Sequence, residues 1–84
     1  MLSNLILYRS LTQTQKASAI LERAGIPNRI TRAPKAVSVE GCNHCIQLAQ
    51  RYLPQALEQL RARGAEPKRV YVTAGDDNFE EVRL

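Results

Sequence analysis

Pro54 constrains this chain more than any other residue. From Cys45 through Leu48, Ala49, Tyr52, Leu53, Ala56 and Leu57 to Leu60 the apolar residues recur at spacings of three and four, the period of one long amphipathic helix. A proline inside such a helix loses the bond from its own position to residue 50 and presses its ring on that carbonyl, costing about 3 kcal/mol. In the first helical turn the same proline is tolerated, because an amide there has no intrahelical partner. The segment "HCIQLAQRY" also alternates as a strand would, His44, Ile46 and Leu48 against Cys45, Gln47 and Ala49. Both periods fit, and the proline favours a strand over 44–49 followed by a helix over 54–63.

The first half of the chain repeats that pattern. "NLILYR" reads as a strand over 4–9, and "SLTQTQKASAILERAG" changes to a helical period with Ala17, Ile20, Leu21 and Ala24, giving a helix over 12–24. Ser10 or Thr12 supplies the N-cap, Gly25 the left-handed residue that ends the helix, and Pro27 blocks its continuation. A strand over 28–33 follows, bounded by Pro34. Gly64 ends the second helix as Gly25 ends the first, and "KRVYVTA" forms a strand over 68–74. The order βαββαβ predicts an α+β fold, a ferredoxin-like sandwich with two helices on one face of a four-stranded antiparallel sheet. The other face is expected to be open and polar. Residues 1–75 form the single domain, and the acidic tail over 76–84 is expected to be flexible.

Size and charge narrow the function. Eighty-four residues allow one modest core, since so short a chain buries only about 60 to 65% of the surface its unfolded form exposes. A large enclosed active site is not expected. No stretch approaches the roughly 20 apolar residues of a membrane helix, and "MLSNLILYRS" reads as a strand rather than a leader peptide, which predicts a cytoplasmic protein with no membrane partner. Residues 1–41 carry six Lys/Arg against two Asp/Glu, whereas residues 42–84 carry six of each, so the excess of +4 precedes the cysteines. A basic face attracts nucleic acid or an acidic protein surface, but the four aromatics do not interleave with basic residues as a nucleic-acid platform requires. Nucleic acid is not the expected partner.

"VEGCNHC", residues 39–45, holds both cysteines and the one histidine of the chain. A thiol is a nucleophile as its thiolate, which a nearby cation or unpaired backbone amides favour. Protonated His44, with Lys35 and Arg32 across the loop, supplies candidate cations; Gly41 permits a sharp bend before Cys42, and Asn43 separates Cys42 from His44. Redox or sulfur-transfer chemistry at Cys42 and Cys45 is the leading reading. Cytosolic reduction argues against a permanent disulfide. Metal binding by Cys42, Cys45 and His44 remains an alternative, although zinc usually takes four ligands and no second pair is present within the chain. A dimer would complete such a set, and copper(I) accepts two thiolates. A non-enzymatic metal-binding or interaction module and a thiol-disulfide oxidoreductase are the competing functions. The latter lacks the usual helix opening at its CxxC.

The segment "SLTQTQKASAILERAGIPNRITRAPKAVS", followed by "GCNHC" and a closing helix with "VYV", resembles the selenium/sulfur carrier-like family over about residues 4–74. The resemblance implies a carrier rather than a turnover enzyme, with no cofactor, whose thiol accepts sulfur or selenium as a persulfide or selenopersulfide. Cys42 matches the family's loop cysteine, and Cys45 becomes a second acceptor or a resolving thiol. Asn43 departs from the glycine that follows the cysteine in many members. The implied partners are a donor enzyme such as a cysteine desulfurase or selenocysteine lyase, an acceptor protein and, in a homodimer, a second copy.

Overall fold

The computed structural model describes residues 2–37, 43–73 and 78–83. Two helices pack on a five-stranded antiparallel sheet. The elements are β1 (Ser3–Leu7), α1 (Leu11–Arg23), β2 (Arg29–Arg32), β3 (His44–Ala49), a 3₁₀ turn (Gln50–Tyr52), α2 (Leu53–Ala62), β4 (Arg69–Thr73) and β5 (Phe79–Val82). The strands lie in the order β2-β3-β1-β4-β5. Residues 44–49 are a strand, and Pro54 sits in the first turn of α2. The expected four strands become five, because Phe79–Val82, assigned from sequence to a flexible acidic tail, pairs with β4.

Both helices end the same way. Gly25 and Gly64 have φ of 75° and 70°, and each is followed by a residue whose amide reaches back five positions. Ile26 N–H donates to Leu21 O at 2.9 Å, and Ala65 N–H donates to Leu60 O at 2.8 Å. The second bond of the motif runs from Gly25 N–H to Glu22 O and from Gly64 N–H to Arg61 O. At the start of α1, Ser10 rather than Thr12 is the cap, its Oγ accepting from Gln13 N–H. The face α1 buries is Thr14, Ala17, Ser18 and Leu21, while Ala24 lies exposed beyond the last turn. Small residues on that face let the helix sit close to the sheet, and Ser18 Oγ meets Asn28 Oδ1 at 2.6 Å, tying α1 to the approach to β2.

Strand alternation divides the interior in two. Ile30, Ile46, Ile6, Val70 and Val82 stand opposite one another across all five strands. This row lies beneath Ala17 and Leu21 of α1 and Ala56 and Leu60 of α2, forming the main core. Full burial of Ile6, Ile46 and Val70 contributes about 1.5–3 kcal/mol each. The other face differs from the expected open, polar surface. Leu5, Leu7 and Cys45 are buried there under Val37, with Ala33, Tyr71 and Phe79 at the margin. Beyond this second cluster the face is polar: Arg29 donates through Nε and Nη2 to Gln47 Oε1, at 3.0 and 2.9 Å. The sheet margins are β2, with Arg29 and Arg32 exposed, and β5, with Glu80 and Glu81 exposed.

Candidate functional site

Register brings Arg32, His44 and Cys45 to one end of the sheet. Leu7, near the end of β1, pairs with Cys45 on one side and Arg69 on the other, and Arg32 pairs with His44. Just outside that end, Ala33 N–H donates to Asn43 O at 2.8 Å, drawing together the two stems of the β2–β3 connection. Pro34–Val37 then turns back on itself, with Val37 N–H donating to Pro34 O at 3.0 Å. This turn carries Val37 over Leu7 and Cys45. Lys35 is exposed on the turn and Asn43 at the start of the returning stem. Gly41 and Cys42 lie outside the described residues.

Cys45 and His44 occupy adjacent strand positions, so their side chains project from opposite faces. Cys45 has 0% relative exposure and belongs to the cluster of Leu5, Leu7 and Val37. His44 is half-buried and shares the helix-side parity of Ile46 and its register partner Arg32. Proximity in sequence therefore does not put His44 and Cys45 in one coordination shell. Among the described residues no group of three His, Cys, Asp or Glu side chains is placed to hold a metal ion.

The cover over Cys45 is the feature that spacing alone does not reveal. Its sequence signal is Val37, an apolar residue three positions after Pro34 in a connection otherwise expected to be solvated. Leu5 and Leu7 are the matching signal on the sheet, since their parity is opposite to that of Ile6. Nearby on the same face, Arg69 Nη1 donates to Tyr71 Oη at 3.4 Å. That hydrogen bond, then the field of Tyr71 and Glu81, holds the Arg69 guanidinium above its ordinary range.

Residues 3–72 match the family described as "Putative Se/S carrier protein-like", a span that takes in both cysteines, both helices and all of β1 to β3. The chain belongs to this family. No curated protein and no solved structure matches the chain. The matched span of this carrier-like protein stops before β5, so the fifth strand lies outside the family match. No helix among the described residues is long and apolar enough to cross a membrane.

Proposed function

We propose that this protein carries sulfur or selenium on Cys42, within a ferredoxin-like βαββαβ unit extended by β5. The observation that carries the reading is the family match over residues 3–72, which includes the whole Cys42–Cys45 segment. The burial of Cys45 supports a division of labour between the two thiols. A donor protein cannot reach a sulfur covered by Val37 without moving the Pro34–Val37 turn, so Cys42 is the initial acceptor and Cys45 the later, resolving thiol.

In the loading step the Cys42 thiolate attacks the outer sulfur of a persulfide on the donor enzyme. The donor's S–S bond breaks, the donor leaves as a thiolate, and Cys42 holds the persulfide with no net oxidation or reduction. Delivery follows when the Cys45 thiolate attacks the inner sulfur of that persulfide. Hydrosulfide, or hydroselenide for a selenium cargo, leaves for the acceptor, and a Cys42–Cys45 disulfide remains. A dithiol reductant returns that disulfide to two thiols and is itself oxidised, a cycle suited to the reducing cytoplasm. The carrier needs no cofactor and no enclosed substrate pocket, in keeping with a domain of this size.

The test is intact-protein mass spectrometry after incubation with a cysteine desulfurase and cysteine, or a selenocysteine lyase and selenocysteine. The expected product gains one sulfur or one selenium atom on Cys42 and loses it on treatment with a dithiol. Cys45→Ser retains loading but not the internal release, and Cys42→Ser takes up nothing. A wild-type chain left unmodified by both donors overturns the reading.

A further inference from the structure

A second feature, charge, begins at the thiol end of the sheet and extends along α1. Three adjoining hollows run from the start of α1, along the side of that helix, to the connection between α2 and β4. Tyr8, Gln13 and Glu66 line both the first and the second, and Lys16, Ile20 and Arg63 line both the second and the third. They form one continuous groove. Its cations are Arg9, Lys16, Arg23, Arg63 and Lys68, all exposed. Among the described residues none of the five forms an ion pair, and the groove's one carboxylate, Glu66, faces Arg61 outside it at 3.5 Å.

The groove has a fixed wall and an apolar floor. Tyr8, buried beneath it, donates from Oη to Ala65 O at 2.6 Å and ties the end of β1 to the turn after α2. Half-buried Ile20 and exposed Ala19 supply an apolar strip between Lys16 and Arg23. From Gln13 to Arg23 the helix rises about 15 Å, room for roughly five residues of extended chain. One mouth opens at the thiol end: Lys68 N–H donates to Leu7 O at 2.8 Å, and Leu7 is the register partner of Cys45.

We propose that this groove docks an acidic polypeptide segment with an apolar residue among its carboxylates. The cations attract the acids, and Ile20 and Ala19 receive the apolar side chain. A nucleic-acid strand fits less well, because it binds by stacking on open aromatic faces as well as by charge. The groove's aromatic residue, Tyr8, is 4% exposed with its hydroxyl already engaged. Assigning the segment to the protein that donates or accepts the chalcogen rests on the carrier reading; the groove's preference for acid does not.

The probe is a short fluorescein-labelled peptide of glutamates around one leucine, followed by anisotropy at low and at physiological salt. The wild-type chain is expected to bind, more weakly as salt rises. Lys16→Glu with Arg63→Glu is expected to weaken binding by about tenfold or more. Arg29→Glu with Arg51→Glu changes net charge equally but lies away from the groove, and is expected to hold within about twofold. Lys16→Gln with Arg63→Gln gives an intermediate loss if the reversed pair folds poorly. Equal loss in the Arg29 and Arg51 control, tighter binding of a thymidine oligonucleotide than of the peptide, or self-association broken by the Lys16 and Arg63 changes would each overturn the proposal. Cys42→Ser separates the two readings. Peptide binding that survives it without sulfur loading of the wild type leaves the groove standing alone, and loading without peptide binding removes the groove and leaves the carrier.

Discussion

Burial lifts the Tyr8 phenol well above the ordinary tyrosine range, because an ionised ring there would lose its water. In the unfolded chain the same phenol ionises near 10.0. Below that pH both states hold the proton, and the group makes stability independent of pH. Above it the unfolded chain releases the proton while the folded one retains it, so stability falls as pH rises. Tyr8→Phe removes this alkaline slope, and at neutral pH it costs about 1 kcal/mol because the Ala65 carbonyl loses its donor. Urea unfolding of both proteins from pH 7 to pH 11 checks the two effects together. A steeper slope in the variant would place the alkaline sensitivity elsewhere. In the sequence Tyr8 is only the last apolar letter of "LILY". Its hydroxyl partner lies 57 positions away in the chain, and no local pattern reports such a pair.

Gly25 and Gly64 are the elements' shared device. A methyl group at either position meets nothing within 4 Å, so substitution there acts through the backbone alone. Gly25→Ala and Gly64→Ala are each expected to cost about 1 kcal/mol, and to add when combined because the two turns are independent. Denaturant midpoints of the three variants test this, and a loss much above the sum would reveal coupling between the turns. These ends were legible because a helix stop with a left-handed residue has few chemical solutions. β5 was not legible. "FEEV" carries two glutamates, residues depleted in strands, and follows a run rich in Asp and Gly. What orders it is tertiary: Val82 sits opposite Val70 at the edge of the main core, and Phe79 reaches the second cluster.

At the scale of the whole molecule, the two clusters place Cys45 on the side of the sheet away from both helices, sealed by one turn rather than by the main core. Sulfur on that side is reached by lifting Pro34–Val37, without unpacking α1 or α2, a local opening of the kind that precedes global unfolding. Val37→Ala thins the cover, so alkylation of Cys45 under native conditions is expected to speed up more than the loss of global stability accounts for. Rates for Cys45 measured in a Cys42→Ser background, against urea unfolding of the same proteins, decide the point. Matching factors would mean that only complete unfolding bares the thiol. The strand alternation that separates His44 from Cys45 is readable in the sequence, since a strand over 44–49 puts neighbours on opposite faces. The burial of one face by a loop was not, since Leu5 and Leu7 look the same in sequence whether helix, loop or water covers them.

The two margins of the sheet also govern what many copies do at high concentration. A second β2 brought against the first sets arginine beside arginine, and a second β5 sets glutamate beside glutamate. Symmetric edge-to-edge growth meets like-charge repulsion on both flanks, and only the unlike pairing, four residues long, escapes it. Like-with-like pairing is thereby discouraged, and head-to-tail contact between the arginine edge of one copy and the glutamate edge of the next is left as the way copies would join through the sheet.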